Sequence, residues 1–283
     1  MRIFFTEHPI SLENLKPFQE TTHVIKYPKE EIPNVHEFDR SALLATLKVE
    51  QPEVLVVGLK FKIDKEVLDS APIKAVFTRT TNITDHIDLK YCEEKGIEII
   101  PLVGSELTDV VAVPELSLWA MLELVRRRGG QELKGKTLGI IGRGRIGTIL
   151  GDMVNLGFEM KIATYDIIES RGMNELETVL KQDIVSLNIS STEENRNFMD
   201  RVKFEMMKDG SYFLNSSRGW LVDESALKWA LESGKLAGAW SDFVLDWTAE
   251  NLIQTNHIGG KTQESSLKTE VIVINKLIRW LKL

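Results

Sequence analysis

Gly142, Gly144 and Gly147 have the G-x-G-x-x-G spacing, which is typical of turns that bind a pyrophosphate. In such a turn the first glycine permits a sharp bend, the second lets a pyrophosphate approach the backbone, and the third allows close helix–strand packing. A helix beginning near Arg145 would direct its free N–H groups and its positive dipole end at that pyrophosphate. Asp166 follows Gly147 by about 20 residues, where a carboxylate can bind a ribose 2′-hydroxyl. The sequence therefore predicts a dinucleotide site, and the alternative is a glycine-rich turn without a ligand.

The residues around Asp166 also indicate which dinucleotide is bound. The Asp166 carboxylate would repel the 2′-phosphate of NADP. Residues 167–169 are Ile, Ile and Glu, so they offer no arginine that could receive that phosphate. The sequence therefore predicts NAD as the cofactor.

Arg218 and His257 are the residues outside the glycine turn that could take part in a reaction. Arg218 follows the predicted strand at residues 212–215, and strand ends are where a doubly wound sheet gathers its ligand site. The Arg218 guanidinium, directly before Gly219, could bind a carboxylate through two hydrogen bonds. His257, which Gly259 and Gly260 follow, could transfer a proton near neutral pH. From spacing alone, a surface arginine in a turn and a non-catalytic histidine remain open.

The first hundred residues alternate short apolar strands with amphipathic helical segments. The strands are predicted at residues 2–6, 24–27, 54–57, 75–78 and 97–100. Residues 41–48 and 89–95 have helical spacing, and Gly96 stands where a C-cap is expected. This alternation predicts a mostly parallel sheet that helices cover on both faces.

A long helix is predicted from about Val113 to Arg128, with Pro114 in its first turn and Gly129 at its end. A second α/β series follows, with strands at residues 138–142, 161–165, 184–188, 212–215 and 237–242. Residues 265–283 have the pattern of one amphipathic helix. We therefore predict two α/β lobes, with the long helix crossing between them.

The composition excludes some classes of partner. A net charge of −7 argues against nucleic acid or an anionic membrane surface. Cys92 is the only cysteine, so no intrachain disulfide can form, and its helical context indicates a packing residue. No apolar stretch reaches the ~18 residues of a membrane helix, and the N-terminus carries no cleavage signal. We predict a cytoplasmic protein without nucleic acid, membrane or metal as a partner.

These residues give the chain a resemblance to the D-isomer-specific 2-hydroxyacid dehydrogenase family over most of its length. The resemblance is carried by the segments 135–147, 183–190, 214–224 and 256–260, and it is strongest between Val113 and Gly260. Residues 85–89 and 94–99 also resemble the first domain of the family. Several motifs in the same order are much more specific than a single glycine turn.

The resemblance implies an architecture. A Rossmann-type doubly wound parallel sheet would be inserted into a smaller flavodoxin-like α/β domain. The NAD-binding domain would span residues 113–264, and the substrate-binding domain would comprise residues 1–112 and 265–283. A cleft between the domains would close on the substrate and exclude water. A homodimer formed through the long helix is also expected, since that helix is apolar on more than one face.

The resemblance also implies roles for individual residues. Enzymes of the family transfer a hydride between the nicotinamide and a small 2-hydroxy or 2-keto acid. Arg218 would bind the substrate carboxylate and polarise its carbonyl. His257 would donate a proton to the forming alkoxide in reduction and remove it in oxidation. The cofactor would contact Gly142, Arg143, Gly144, Arg145, Ile146, Gly147, Asp166, Asn188, Ser190 and Asp242.

The loop before His257 departs from the family's pattern. The family places an acidic partner for the histidine five residues after Asp242, but Trp247 stands there in this chain. Asp246 is our candidate for a catalytic replacement, and a surface carboxylate in a shortened loop is the alternative. The competing hypothesis is a regulatory protein that binds NAD(H) with weakened or lost catalysis. The presence of both Arg218 and His257 favours the enzyme.

The substrate loops depart from the family as well. Residues 56–62 take the place where the family offers backbone N–H groups to the substrate carboxylate, and Leu59 and Lys60 stand there where small polar residues are common. Thr81 and Ile83 replace glycines of an R-x-G-x-G pattern. We predict that Leu59, Lys60 and Thr81 bind substrate together with Arg218. Lys60 could pair with a second anionic group of the substrate or be a surface lysine. The sequence does not indicate which acid is the substrate.

Overall fold

The computed structural model describes residues 1–7, 14–18, 21, 23–26, 38–127 and 130–283. The chain divides into two compact units. The first unit comprises Met1–Thr108 and Ser266–Leu283, and the second comprises Asp109–Ser265. Each unit has its own parallel sheet and its own apolar core.

The first unit contains a sheet of five short strands. They are β1 (Arg2–Phe5), β2 (Val24–Lys26), β3 (Val54–Val57), β4 (Ala75–Thr78) and β5 (Glu98–Ile100). Their order is β2-β1-β3-β4-β5, and all neighbours are parallel. Every residue of β3 and β4 is buried, as expected for strands covered on both faces. Because the chain places β2 on one side of β1 and β3 on the other, the carboxyl ends of β1 and β3 form a topological switch point.

Aspartates begin the α-helices that lie before β5. These helices are α1 (Arg40–Glu50), α2 (Lys65–Leu68) and α3 (Leu89–Lys95). The side chains of Asp39, Asp64 and Asp88 each accept a hydrogen bond from the backbone N–H three residues later. Helix α3 ends at Gly96, whose φ of +65° is the left-handed conformation of a C-cap.

The second unit contains a six-stranded sheet. Its strands are β6 (Thr137–Ile141), β7 (Lys161–Tyr165), β8 (Ile184–Leu187), β9 (Ser211–Asn215), β10 (Leu236–Ser241) and β11 (Leu252–Gln254). The order is β11-β10-β9-β8-β6-β7, with all neighbours parallel. The chain runs from β6 to β7 on one side and returns to β8 on the other. The switch point of this sheet therefore lies between the carboxyl ends of β6 and β8.

Helices of the second unit contribute to two separate apolar cores. They are α4 (Ala112–Arg127), α5 (Arg145–Phe158), α6 (Leu176–Leu180), α7 (Arg201–Met206) and α8 (Glu224–Glu232). Residues of α4 and α5, such as Leu124 and Leu150, pack in one core with Trp240. Residues of α6, α7 and α8, such as Phe204 and Leu227, pack in the other. The sheet is thus covered on both faces.

Most of the C-terminal helix α9 (Gln263–Leu281) belongs to the first unit. The Lys276 ammonium donates to the carbonyl oxygen of Pro101 at 2.6 Å. The Trp280 indole N–H donates to a carboxylate oxygen of Glu98 at 2.8 Å. These bonds fix the helix beside β5 and the segment that follows it.

The predicted fold class, parallel α/β with a Rossmann-type sheet, is confirmed. The sequence did not predict β11, because Leu252–Gln254 has a single β-branched residue and no run of strand-forming residues around it. Tyr27, Arg128 and Gly129, which the sequence placed at element ends, lie outside the described residues. Across the described ranges, none of the helices has the length and apolar character needed to cross a bilayer.

Candidate active site

The glycine turn lies between β6 and α5, and two of its glycines are required by close backbone approaches. Gly142 has a φ of +92°, and a Cβ there would lie 2.6 Å from the carbonyl oxygen of Asn188. A Cβ on Gly147 would lie 2.3 Å from the carbonyl oxygen of Gly142. Gly144 is the N-cap of α5, and nothing lies within 4 Å of its Cβ position. The first and third glycines close the turn, while the second leaves the backbone open to a ligand.

Asp166 follows β7 and lies beside this turn. Its Oδ2 accepts the backbone N–H of Arg143 at 2.8 Å, and its Oδ1 accepts that of Ile168 at 2.9 Å. The Gly142 N–H donates to the carbonyl oxygen of Tyr165 at 2.8 Å, which joins the turn to the end of β7. The carboxylate is therefore held at the position where it could accept a hydrogen bond from a ribose hydroxyl.

The first turn of α5 fits a pyrophosphate. An open N-cap, free N–H groups and the positive helix end together make an anion site. Arg143, Arg145 and Ile146 are partly buried there. The Arg145 guanidinium donates to the carbonyl oxygen of Val110, and burial lowers its pKa. Arg145 thus ties the turn to the segment before α4, so its backbone N–H is better placed than its side chain for a cofactor.

Asn188 borders the glycine turn on the β8 side. Its backbone N–H donates to the carbonyl oxygen of Ile141 at 2.7 Å, and its Oδ1 accepts the Ser216 hydroxyl at 3.0 Å. The amide Nδ2 donates to the carbonyl oxygen of Ser186 at 3.1 Å. Ser190 is exposed. Asn188 therefore connects the turn with the segment after β9.

Phe243 brings Arg218 and His257 together. The Arg218 Cζ lies 5.7 Å from the centre of the Phe243 ring, and the centre of the His257 ring lies 4.9 Å from it. Arg218 follows β9, Phe243 follows β10 and His257 follows β11, and these three strands are neighbours. Phe243 was not among the site residues predicted from the sequence. An aromatic residue directly after the strand-end Asp242 was the signal that could have indicated it.

The buried carboxylate of Asp242 holds the backbone around His257. Its Oδ1 accepts the Thr255 hydroxyl at 2.7 Å and the Ile258 N–H at 2.9 Å. Its Oδ2 accepts the Gly259 N–H at 2.9 Å, and a Cβ on Gly259 would lie 2.8 Å from this oxygen. The His257 N–H donates to the Asp242 carbonyl oxygen, and its φ of +47° is in the left-handed region. Gly259 thus makes room for the Asp242 carboxylate, a reason the sequence did not indicate.

The loop between β10 and β11 is pinned by Gln254. Its Oε1 accepts the Leu245 N–H at 2.6 Å, and its Nε2 donates to the Trp247 carbonyl oxygen at 2.8 Å. Trp247 is partly buried against the core, and the Lys228 ammonium lies 6.0 Å from the centre of its ring. Asp246 is exposed. At the position where the family has its acid, a tryptophan contributes to core packing.

The substrate residues predicted in the first unit lie after β3 and β4. Leu59, Lys60 and Thr81 are exposed. The Lys60 N–H donates to Oε1 of Glu7 at 2.7 Å. Arg79, which was not among the site residues predicted from the sequence, has a buried Nε with no hydrogen-bond partner among the described residues. Its place directly after a strand was the available signal.

The second unit thus combines an open helix N-terminus beside a carboxylate with a guanidinium and an imidazole that share one aromatic ring. The helix N-terminus and the carboxylate can hold a dinucleotide. The guanidinium can bind an anionic substrate, and the imidazole can transfer a proton. Among the residues that the structure describes, no three His, Cys, Asp or Glu side chains are grouped as a metal site requires.

Known proteins are similar in sequence to this chain. Residues 119–259 match the family described as "D-isomer specific 2-hydroxyacid dehydrogenase, NAD binding domain". The chain is 31% identical to the glyoxylate reductase of Thermofilum pendens over 284 residues, which cover 86% of this chain and 82% of that protein. It is 29% identical to the putative D-3-phosphoglycerate dehydrogenase of Schizosaccharomyces pombe over 279 residues, which cover 83% of this chain and 59% of that protein. The chain thus spans less than two thirds of the length of the latter.

The fold is also that of solved structures. The D-lactate dehydrogenase of Aquifex aeolicus, crystallised with NAD and lactic acid, matches with a TM-score of 0.75 at 25% identity. The match covers 100% of this chain and 96% of that one.

Proposed function

We propose, from the premise that the chain belongs to the D-isomer-specific 2-hydroxyacid dehydrogenase family, that it transfers a hydride between NAD and a small 2-hydroxy or 2-keto acid. The observation that carries this proposal is the contact of Arg218 and His257 with the same Phe243 ring. A guanidinium and an imidazole beside the same aromatic ring match the anchor and the proton donor that reduction of a 2-keto acid needs.

The roles follow from the chemistry of each group. When bound, NAD supplies or accepts the hydride. Arg218 binds the substrate carboxylate and polarises the carbonyl oxygen, so that negative charge developing there is stabilised. His257 donates a proton to that oxygen in reduction and takes it back in oxidation.

The glycine turn supports the assignment of the cofactor site. The N–H groups of the first turn of α5 would bind the pyrophosphate, and Asp166 would bind the ribose. The further cofactor residues that we propose are Arg143, Arg145, Ile146, Asn188, Ser190 and Asp242. The Asp242 carboxylate already accepts three hydrogen bonds from its own chain, so its contribution is to shape the site.

We assign NAD binding to residues 113–264 and substrate binding to residues 1–112 with 265–283. In the substrate-binding part, Leu59, Lys60 and Thr81 are proposed to contact the acid. Their exposure and their position after buried parallel strands support this role.

Asp246 is proposed as the acidic partner of His257. Its carboxylate is exposed in the loop that Gln254 pins, one residue before Trp247. An acid that stabilises the protonated imidazole raises the pH at which His257 loses its proton. Asp246→Asn should therefore shift the alkaline limb of the reduction rate downward in pH, and an unchanged profile would remove Asp246 from the site.

The protein is proposed to act in the cytoplasm as a homodimer, with neither nucleic acid nor membrane as a partner. The net charge of −7 supports the exclusion of polyanions. Trp119 on α4 is 44% exposed, an unusual exposure for a large aromatic side chain, and it supports an interface through this helix.

The test is NADH oxidation with glyoxylate, pyruvate, hydroxypyruvate and bulkier 2-keto acids. We expect turnover with at least one of them and a loss of about 100-fold or more in Arg218→Ala and in His257→Ala. Arg196→Ala is the matched control, because Arg196 also lies over an aromatic ring, that of Trp220, in the same unit. NADH binding without turnover on any acid would instead favour the regulatory protein, for which the packing of Trp247 is the supporting observation.

A further inference from the structure

The Glu7 carboxylate lies at the switch point of the first sheet. β1 continues into buried Thr6, whose N–H donates to the Val56 carbonyl oxygen at 3.0 Å, so the chain stays beside β3 up to Glu7. Oε1 of Glu7 then accepts the Lys60 N–H at 2.7 Å. A Cβ on Gly58 would lie 2.1 Å from Oε2 and 2.6 Å from Oε1. The carboxylate therefore rests directly against the Gly58 backbone.

This position is one where a ligand is expected. Open parallel sheets bind ligands outside the carboxyl ends of the strands at the switch point, and Glu7 and Gly58 follow the two strands that form it. A carboxylate that accepts a hydrogen bond from an N–H group there makes a charge-assisted hydrogen bond. The donor of Lys60 is thus already satisfied by an anionic group of the chain itself.

We propose that Glu7 is a specificity-determining residue that occupies the N–H site of the loop after β3 and excludes small carboxylates from it. The proposal rests on the function proposed above, which assigns this loop to the substrate. A substrate carboxylate reaches the Lys60 N–H only by displacing Glu7, and until then it meets a like charge. The free-energy cost of displacing Glu7 is the same for the bound substrate and for the transition state. Glu7 therefore raises KM and leaves kcat unchanged. The loop consequently favours substrates that present a hydrogen-bond donor to Glu7.

Replacement of Glu7 gives the kinetic test. In Glu7→Ala we expect KM for glyoxylate and pyruvate to fall about tenfold at constant kcat, the scale of one charge-assisted hydrogen bond. Glu7→Gln should lower KM less, because its amide oxygen can still accept the Lys60 N–H. Glu93→Ala is the control that removes an equal charge from an exposed position of the same unit, and its KM should stay at the wild-type value. An unchanged or higher KM in Glu7→Ala would overturn the proposal.

A second readout needs no turnover and separates this proposal from the proposed function. Acetate is titrated into the full-length protein while the amide resonance of Lys60 is followed by NMR. We expect a saturable shift in Glu7→Ala and none in the wild type over the same range. Equal shifts in both, or none in either, would overturn the role of Glu7. An absence of turnover in every variant, with the acetate shift seen in Glu7→Ala, would overturn the proposed reaction and leave the occupied site standing.

Discussion

Phe243 determines how Arg218 and His257 can act, since both lie against its ring. A guanidinium over an aromatic face gains about 0.5–2 kcal/mol from cation–π attraction, enough to favour one rotamer of a long side chain. A proton donor works only within hydrogen-bond reach of the oxygen that it serves. The geometry of the pair therefore depends on a residue that itself has no reactive group.

The role of Phe243 is tested by changing the size of its side chain. Phe243→Ala removes the ring that both groups contact, and we expect kcat/KM for the best 2-keto acid to fall roughly 10- to 100-fold. Phe243→Leu keeps much of the apolar volume and should lose less. Steady-state kinetics measures kcat/KM in both variants, and circular dichroism compares their folds. Wild-type kinetics in Phe243→Ala would show that the ring does not position the pair.

Asp166 controls the choice of cofactor at the same scale. Its carboxylate lies beside the turn and would repel a 2′-phosphate, so Asp166→Ala should lower the ratio of kcat/KM for NADH over NADPH by about tenfold or more. Asp152→Ala removes an exposed carboxylate from α5 and serves as the control. An NADH/NADPH ratio that stays the same in Asp166→Ala would count against the ribose assignment.

At the scale of elements, the junction of β6 and α5 is the part of the structure that tolerates change least. Three backbone segments meet there, at Gly142, Gly147 and the carbonyl of Asn188, and their separation leaves no room for side chains. The same helix has Gly157 near its end, where nothing lies within 4 Å of the Cβ position. On the same helix, Gly147 thus leaves no room for a side chain, whereas Gly157 does.

Alanine substitutions at Gly147 and Gly157 separate the effect of steric crowding on stability from that of helix propensity. In Gly147→Ala the Cβ would lie 2.3 Å from a backbone oxygen, so we expect about 1–3 kcal/mol of destabilisation and weaker NADH binding. In Gly157→Ala the exposed position should gain about 0.5–1 kcal/mol. Urea unfolding and NADH fluorescence titration measure both effects. Equal free energies of unfolding in the two variants would contradict the close packing at the turn.

Asp183 joins the starts of β6 and β8. Its Oδ2 accepts the Thr137 N–H at 2.8 Å and the Thr137 hydroxyl at 3.0 Å, and its Oδ1 accepts the Lys208 ammonium at 2.6 Å. Burial raises the pKa of this carboxyl, but the hydrogen bonds from Lys208 and Thr137 outweigh it and bring the pKa below its ordinary value of 3.8. The ionised form is therefore favoured by folding.

Asp183→Asn should lower the free energy of unfolding at pH 7 by about 1–3 kcal/mol. Because the folded pKa is depressed, the stabilisation is present above pH 3.8 and is lost as the pH falls from there through the folded pKa. The free energies of unfolding of the wild type and the variant, measured with urea, should therefore converge as the pH is lowered below 4. A difference that stays constant down to pH 3 would exclude the carboxylate as its source.

The elements that the sequence predicted are those with a local signal. The apolar runs of β3 and β8, the cap at Gly96 and the glycine turn can each be recognised from a few neighbouring residues. Arg218 was selected from its position after a predicted strand and His257 from its chemistry and the glycines that follow it, and the family motifs then gave both residues their roles. The positioning of His257 by Asp242 was not predicted, because such contacts join residues that meet only in the folded sheet. The contact of Glu7 with the loop after β3 was missed for the same reason.

At the scale of the whole molecule, each unit collects side chains from distant parts of the sequence at the carboxyl ends of its own parallel strands. In the first, Glu7 meets the loop after β3, and in the second the glycine turn meets Asn188. Parallel sheets direct the carboxyl ends of all their strands to one edge, so residues distant in sequence collect there. The central proposal is that the glycine turn, Arg218 and His257 of the second unit serve one reaction, the transfer of a hydride to carbon 2 of a 2-keto acid.

Transfer of a labelled hydride tests that proposal most directly. The protein is incubated with NADH that carries deuterium in the transferable position at C4 and with the 2-keto acid that it reduces fastest, and the product is analysed by mass spectrometry and chiral chromatography. We predict a D-2-hydroxy acid with one deuterium bonded to carbon 2, formed in the wild type and reduced about 100-fold or more in Arg218→Ala and His257→Ala. A product without deuterium at carbon 2, or no 2-hydroxy acid from any 2-keto acid, would contradict it.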